Sequence, residues 1–532
     1  MKHRHLYICA LAASLTTLAA CDDYLDEMPD NRTTLDTGDK IVDLLTTAYP
    51  ATSNLVVNEF MSDNSDYLGD ASAYGDRHMD TWFFWRDDIE LSNDSPERQY
   101  MAYYDNVAKA NQALEAIDQL GGATTAQLRN ARGEALLLRA YNHFLLVGQF
   151  CMAYNGRGAQ TDMGLYYSKR VERLDAAAPR GTMAEAYANI AADIEEGLPL
   201  INDDYRVPKY HFNRRAALAF ATRFYLYYER WADAERYATQ LLGATPSAYL
   251  RNYAELEAMP SSTADQSNTV AELYCNVDRD CNLLVEASES SAGPIFGAWF
   301  MGKRYNHSSN IATNETLNTR GPWGEAGLWR WQPFSASTGI YRFVFHRKVP
   351  FEMEYTDPVA GYGRYHALNV AFSVDEALLN RAEAYVMLGR NAEAAADLDM
   401  WMKNYFNTTV TLTPESIQSY FNGIGYAYSD ASPMVGTKRK HLRPNFDIGA
   451  EGGVQESMLQ CVLLFRRLET IHQGLRWQDI KRYNIRIPRR LMGSDGEPQR
   501  ILDWLEPNDP RMALQIPLPA RTAGVTPNPR NN

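Results

Sequence analysis

Apolar side chains along residues 127–150 recur at the alternating three- and four-residue spacing of an α-helix. One face carries Leu128, Ala131, Ala135, Leu138, Tyr141 and Leu145. A second apolar row widens this stripe, so the helix must contact neighbours on two sides. Small alanines and glycines among large side chains let such neighbours approach closely, as in stacked helical repeats. Taken alone, the same pattern also fits any buried helix of a large all-α domain.

Other stretches show the same periodicity. Thr182 and Glu185 resemble a capping box at the start of one of them, and Gly121-Gly122 ends the helix that precedes residue 127. We therefore predict that repeat helices occupy about 97–150, 182–243, 374–406 and 456–483.

An internal match distinguishes a repeat scaffold from an ordinary helical domain. The chain contains the same pattern twice: a small residue, then an aromatic residue three positions later, then an alanine nine positions after the aromatic residue. The copies are Thr222, Tyr225 and Ala234, and Ala382, Tyr385 and Ala394. Leu218 with Leu378 and Arg230 with Arg390 fall in the same register. This is the spacing of a tetratricopeptide helical hairpin, in which the small residues lie where the two helices cross.

Two long segments lack helical periodicity. They span about 58–96 and 243–373, and in the second Gly, Pro, Asn, Ser and aromatic residues dominate. Long segments of this kind usually carry function. The predicted fold is mainly α, a tetratricopeptide-like helical hairpin scaffold with long irregular loop segments that form a binding face.

The composition narrows the class of ligand. The chain has 532 residues, 45% of them hydrophobic, which is enough for a large core in one domain or several. Its formal net charge is −14, and phosphate binding needs a clustered positive surface. We therefore expect no nucleic-acid partner.

The N-terminal residues resemble a lipoprotein signal. Lys2 and Arg4 precede an apolar run of about 13 residues, which is too short to span a bilayer. Residues 1–20 are predicted to be a signal peptide that ends Leu-Ala-Ala before Cys21, whose thiol would carry a lipid anchor. The alternative is cleavage at an Ala-x-Ala site without lipidation. The mature chain, 21–532, is then expected to be a single domain.

Four cysteines remain beyond the anchor. Cys275 and Cys281 could close a small disulfide loop in an oxidising compartment, and a zinc site is disfavoured because ligand spacing is missing. Cys151 and Cys461 lie in helical pattern and are expected to be buried thiols.

Tryptophans are concentrated in the two non-periodic segments, which hold six of the ten. An indole face stacks on the apolar C–H face of a sugar, whose hydroxyls need polar partners around its edge. The candidate ligand-binding residues are Trp82, Trp85, Trp299, Trp323, Tyr305, Asp66, Arg304 and Asn306. For any single tryptophan, a core position is the more frequent outcome, so the prediction depends on the clustering.

Catalysis has little support in the sequence. Zinc-protease, nucleophile-elbow and phosphate-loop motifs are missing, and the His residues show no metal spacing. Paired acids such as Asp87-Asp88 are expected to be solvated surface. We predict a protein that is not an enzyme and needs neither cofactor nor metal.

Several blocks together resemble the SusD/RagB family of outer-membrane nutrient-binding lipoproteins of Bacteroidetes. They are Cys21 with the acidic residues that follow it, the segments 133–141 and 381–389, the segments 466–469 and 474–482, and the closing Ile516-Pro517-Leu518-Pro519. One departure is Gln473, where the family usually has an acidic residue.

The resemblance implies a lipid-anchored protein on the extracellular side of the cell outer membrane. Such proteins form a lid on a SusC-like TonB-dependent outer-membrane transporter and deliver a glycan for import. Some members capture oligopeptides instead. A repeat scaffold that faces the periplasm and binds only protein is a third hypothesis.

Overall fold

The computed structural model describes residues 34–69, 77–171, 178–297, 304–338 and 341–530. The predicted signal peptide and Cys21 lie outside the described residues. Among those that are described, no helix is both long and apolar enough to cross a membrane.

Helices make up most of the regular structure. In chain order they are α1 (Gly38–Thr46), α2 (Leu55–Met61), α3 (Arg77–Phe83), α4 (Pro96–Gln119), α5 (Ala126–Phe150), α6 (Met183–Gly197), α7 (Arg214–Tyr227), α8 (Trp231–Leu242), α9 (Tyr253–Glu257), α10 (Ala264–Cys275), α11 (Ala292–Phe296), α12 (Ser309–Asn314), α13 (Val374–Met387), α14 (Asn391–Tyr405), α15 (Pro414–Asn422), α16 (Val454–Glu469), α17 (Arg476–Arg482) and α18 (Leu518–Thr522). The mainly α, tetratricopeptide-like fold is confirmed.

Successive hairpins pack side by side. The hairpins are α4 with α5, α7 with α8, and α13 with α14. Helix α6 packs on α5, and helix α16 packs on both α13 and α14. A Cβ on Gly133 of α5 would lie 2.8 Å from the carbonyl oxygen of Gly197 on α6, so these helices touch through their backbones. The small residues of α5 therefore allow the close approach that its sequence predicts.

The two predicted repeat copies share one turn geometry. The backbone N–H of Arg230 donates to the carbonyl of Tyr225 at 3.0 Å, and that of Arg390 donates to Tyr385 at 2.8 Å. Each arginine then lies over the ring of the same tyrosine, 4.9 Å and 4.2 Å from its centroid. The residue before each arginine has a positive φ, 60° in the first copy and 74° in the second. The internal sequence match is thus a structural repeat.

Nine strands form three small sheets among the described residues. They are β1 (Asp66–Tyr67), β2 (Asn282–Glu289), β3 (Tyr305–Asn306), β4 (Phe334–Thr338), β5 (Tyr341–Phe345), β6 (Glu352–Asp357), β7 (Tyr362–Ser373), β8 (Ile487–Met492) and β9 (Pro498–Leu505). The sheet orders are β3-β1-β8-β9, β2-β7-β6 and β4-β5. Strand β1 runs antiparallel to β3 and parallel to β8. Most of these strands lie in the two segments where the sequence predicts only irregular structure.

Two buried groups of charges hold distant elements of the fold together. The hairpin ion cluster consists of Glu383, Arg466, Asp479 and Arg482, all of them buried. The central ion cluster consists of Asp63, Asp66, Glu315, Lys440, Arg467, Arg476 and Arg490. Buried charges of this kind persist only when they are paired and hydrogen-bonded. Both clusters join residues from distant parts of the chain, so they fix how the elements meet.

The disulfide that Cys275 and Cys281 could form is not present in this structure. Cys275 ends α10 and Cys281 precedes β2, and both are buried free thiols, as are Cys151 and Cys461. The Cys275 thiol donates to the carbonyl of Lys348 at 3.3 Å, and burial raises the pKa of Cys275 to about 12. The expectation of buried thiols at Cys151 and Cys461 is confirmed.

Candidate functional site

An aromatic cluster forms where α3 meets the edge of the four-stranded sheet. The pairing of β1 with β3 places Tyr67 opposite Tyr305, with ring centroids 5.2 Å apart. Phe83, the last residue of α3, also stacks on Tyr305 at 4.3 Å, and its ring centroid lies 6.5 Å from that of Tyr67. Phe84 meets Tyr67 edge-on at 6.3 Å. We call Tyr67, Phe83, Phe84 and Tyr305 the aromatic cluster.

Charged groups border this cluster. The Tyr305 hydroxyl donates to Asp80 Oδ1 at 2.5 Å, and Arg304 Nη1 lies 3.6 Å from the same oxygen. The Arg86 guanidinium lies over the Phe84 ring, 4.9 Å from its centroid. Burial and the Asp80 carboxylate raise the pKa of Tyr305, so its hydroxyl stays protonated and donates. The cluster therefore combines apolar ring surface with a carboxylate and two guanidinium groups.

Exposure divides the cluster into a floor and an accessible edge. Phe83 and Tyr305 are buried, at 0% and 2% exposed. Tyr67 and Phe84 are half-buried, and Arg86 is exposed. A ligand would therefore meet Tyr67, Phe84 and Arg86 first, with the buried rings fixing their positions. This pairing of ring faces with charged groups suits the two sides of a sugar.

Two of the predicted indoles lie beneath this surface. Trp82 and Trp85 are each 4% exposed. Trp82 Nε1 donates to Asp88 Oδ2 at 2.9 Å, and Trp85 Nε1 donates to the Met61 carbonyl at 2.8 Å. The cavity beside both rings has a volume of about 10 Å³, which is too small for a sugar ring. Both indoles are therefore core side chains, because the segment folds back and packs against the core.

The other predicted indoles give no further stacking surface. Trp323 is 1% exposed and stacks on Phe406 at 4.0 Å, so it too is a core side chain and does not protrude. Trp299 lies outside the described residues. A role for these tryptophans in ligand binding stays a prediction.

Two predicted polar residues are buried and bonded within the protein. Asp66 pairs with Arg490 through contacts of 2.8 and 3.0 Å and also accepts a hydrogen bond from Ser308. The Asn306 Oδ1 accepts the backbone N–H of His307 at 2.8 Å. Asp66 therefore ties β1 to β8 beneath the aromatic cluster. Of the three predicted polar residues, only Arg304 lies at the accessible border of that cluster.

The central ion cluster keeps its charges at neutral pH. Although burial alone would raise the pKa of Glu315, its contacts with Lys440 and Arg467 at 2.7 and 3.0 Å hold that pKa at about 2. Burial lowers the pKa of Lys440 to about 8, against the pull of the same carboxylate. Both partners are therefore ionised at pH 7, and the strands that carry the aromatic cluster stay fixed.

Sequence reasoning missed Tyr67, Phe84, Arg86 and Asp80. The run Trp82-Phe83-Phe84-Trp85 is wholly aromatic, and only the structure, in which α3 ends at Phe83, shows that Phe84 is the half-buried ring among them. Within the described part of the chain, no group of three or more His, Cys, Asp or Glu side chains is arranged to hold a metal ion.

Comparison with known proteins identifies the fold. Residues 23–226 match the family SusD-like_3, described as starch-binding associating with outer membrane. No curated protein is significantly similar to the chain in sequence.

Solved structures match over nearly the whole chain. A SusD-like carbohydrate-binding protein from Bacteroides vulgatus is 18% identical, with a TM-score of 0.57 over 92% of this chain and 96% of that one. A SusD superfamily protein from Bacteroides fragilis is 14% identical, with a TM-score of 0.62 over 93% and 99%. A laminarin-binding SusD-like protein is 15% identical, with a TM-score of 0.54 over 94% and 99%.

Proposed function

We propose that this chain, a SusD-like protein, binds a glycan at the cell surface and delivers it to a SusC-like TonB-dependent transporter. In this proposal Cys21 carries the lipid anchor, the protein faces the extracellular side of the outer membrane, and it performs no catalysis. The family match describes starch binding, and one structural neighbour is named for laminarin binding.

One observation carries the proposal. Two half-buried rings, Tyr67 and Phe84, lie beside Asp80, Arg304 and Arg86 at one edge of a sheet that the central ion cluster holds rigid. Stacking on such rings contributes about 0.5–1.5 kcal/mol, and the charged groups can bond hydroxyls that stay outside the ring contact.

Calorimetry of the mature protein tests the ligand class. The panel contains laminarin, starch, xylan and pectin oligosaccharides, with oligopeptides as a separate arm. We expect binding to at least one glycan, and Phe84→Ala is expected to weaken it about tenfold. The control Tyr355→Ala removes an exposed ring on β6, outside the cluster, and should leave the affinity unchanged. Equal affinity of the Phe84 variant and wild type excludes the aromatic cluster, and binding in the peptide arm alone excludes glycan capture.

Cell-based measurements test the transport role. Protease treatment of intact cells should remove the protein, and detergent extraction should copurify it with a barrel partner. Mass spectrometry of the mature N-terminus should show acyl groups on Cys21. A protease-resistant protein that lacks a barrel partner would support the periplasmic scaffold hypothesis instead.

A further inference from the structure

Two cavities away from the aromatic cluster share Asn484 as a wall. The first has a volume of about 430 Å³ and the second about 270 Å³. Ligand pockets usually span about 300–1,000 Å³, so the pair offers room for one or two sugar rings. Residues 152–163 and the C-terminal segment enclose the first cavity, and the second lies between 427–443 and 484–507.

The shared wall is rigid. Asn484 Nδ2 donates to Asn508 Oδ1 at 3.1 Å, and the backbone N–H of Asn508 donates back to Asn484 Oδ1 at 3.1 Å. Both residues adopt left-handed backbone conformations, with φ of 48° and 58°. Asn484 Nδ2 also donates to the carbonyl of Arg443. This closed set of bonds fixes the wall before any ligand arrives.

One buried cation lines the first cavity. Lys481 is 2% exposed, and its ammonium donates to the carbonyls of Gly148 and Cys151 at 2.8 and 2.6 Å. An ammonium has three N–H donors, so one remains. Both of these contacts are to carbonyl oxygens and neither is to a carboxylate. Burial lowers the pKa of Lys481 to about 8, which leaves it charged at pH 7.

An exposed cation borders the second cavity. The backbone of Arg443 is held by Tyr483 and Asn484. Its guanidinium makes no hydrogen bond or ion pair with the part of the chain that the structure describes. A guanidinium with all its donors available binds a carboxylate through two parallel hydrogen bonds.

Amides and acids complete the lining. Asn155, Asn445 and Asn508 line the first cavity, and carboxamides both donate to and accept from hydroxyl groups. Two acids also face the cavities, the half-buried Asp162 and the exposed Asp430. Solvent weakens the field of these acids more than it weakens the field of the buried Lys481.

We propose that the paired cavities form a second ligand site, which binds a saccharide carrying a carboxylate. The carboxylate lies at the Arg443 guanidinium in the second cavity, and the Lys481 ammonium and the asparagine amides of the first cavity bond the sugar hydroxyls. This site is distinct from the aromatic cluster, so it does not depend on the proposed function. It would give the protein a preference for acidic glycan units.

Calorimetry of the mature protein with galacturonate tests this proposal, with the uncharged methyl ester of galacturonate as the matched probe. We expect galacturonate to bind, its affinity to fall with added salt, and the ester to bind about tenfold more weakly. Arg443→Gln and Asn445→Leu should each weaken galacturonate binding about tenfold. Arg206→Gln is the control, since it removes the same charge at an exposed arginine outside both cavities.

Three results would overturn the proposal. They are no binding of galacturonate, equal binding of acid and ester, or equal affinities of the Arg443 and Arg206 variants. Phe84→Ala should leave galacturonate binding intact. If that variant no longer binds galacturonate, the acidic sugar binds at the aromatic cluster. This result would refute the second site but would leave the proposed function unaffected.

Discussion

Glu383→Gln should weaken the fold severely, although Glu383 touches no candidate ligand-binding residue. Its carboxylate is 0% exposed and accepts from Arg466 at 2.5 Å, Arg482 at 2.6 Å and the Tyr483 hydroxyl at 2.7 Å. The substitution keeps the shape of the side chain but removes its charge. Two buried guanidinium groups then lose a shared partner.

Two lines of reasoning give the size of the decrease in the free energy of unfolding. Breaking a buried ion pair by removing one partner costs about 3–5 kcal/mol. Burial alone would raise the pKa of Glu383, yet Arg466 and Arg482 hold that pKa at about 2 instead of 4.5. Lowering the pKa to that extent corresponds to about 3 kcal/mol. The free energy of unfolding at pH 7 should therefore fall by about 3 kcal/mol.

The pH dependence provides the sharper test. Because the pKa of Glu383 is lowered in the folded state, its contribution to stability is complete above pH 4.5 and disappears as the pH falls towards 2. The difference between wild type and Glu383→Gln should accordingly shrink between pH 5 and pH 2. Urea denaturation followed by tryptophan fluorescence measures it without added salt.

A matched control separates the ion cluster from the substitution itself. Glu393→Gln makes the same change in the same hairpin, at a side chain that is 50% exposed and pairs only with Arg390 among the described residues. It should leave the denaturation midpoint unchanged. If Glu383→Gln shifts the midpoint no more than this control, or by the same amount at pH 7 and pH 2.5, the pairing does not stabilise the fold as argued.

Three further predictions concern packing and burial. Trp85→Ala should lower the free energy of unfolding by about 3–5 kcal/mol, while the folded fraction keeps its glycan affinity; loss of affinity at full stability would contradict its core position. Gly133→Ala should cost about 1–3 kcal/mol in urea denaturation, since its Cβ would meet the Gly197 carbonyl at 2.8 Å, and an unchanged midpoint would show that α5 and α6 can separate freely. Burial raises the pKa of Glu286 to about 7, so the stability that comes from its protonated form is lost as the pH rises from 4.5 through 7. Glu286→Gln should therefore raise the melting temperature at pH 8 but not at pH 4.5, and an equal effect at both pH values would refute a neutral carboxyl group.

The helical scaffold was predictable because its signals are local. Leu218, Thr222 and Ala234 lie within one hairpin, and the turn that joins its helices repeats at Arg390. The spacing of small and aromatic residues within about 20 positions was enough to identify the hairpin.

The sheets and the burial of the indoles were not predictable, because distant residues create them. Strand β7 pairs with β2, about 80 positions earlier, and its exposed half alternates too weakly to indicate a strand. The Trp85 ring is covered by Arg489, whose guanidinium lies 3.7 Å from the ring centroid. Sequence shows an aromatic residue outside the helical pattern, but it does not show which residue 400 positions later will cover it.

The sequence predicted the region of the candidate site better than its residues. Tyr305 and Arg304 do lie in the aromatic cluster or at its border, beside α3. Phe84 was missed because composition alone cannot tell which ring of an aromatic run faces outward. That choice depends on where α3 ends.

The central ion cluster constrains when the protein can fold. Arg467 bonds the Asp63 carbonyl across 404 positions of sequence. At about 5–20 residues per second, the ribosome makes Arg467 roughly 20–80 s after Asp63. For all that time the nascent chain carries Asp63 without this partner, so the central ion cluster assembles only after the last part of the chain has been made.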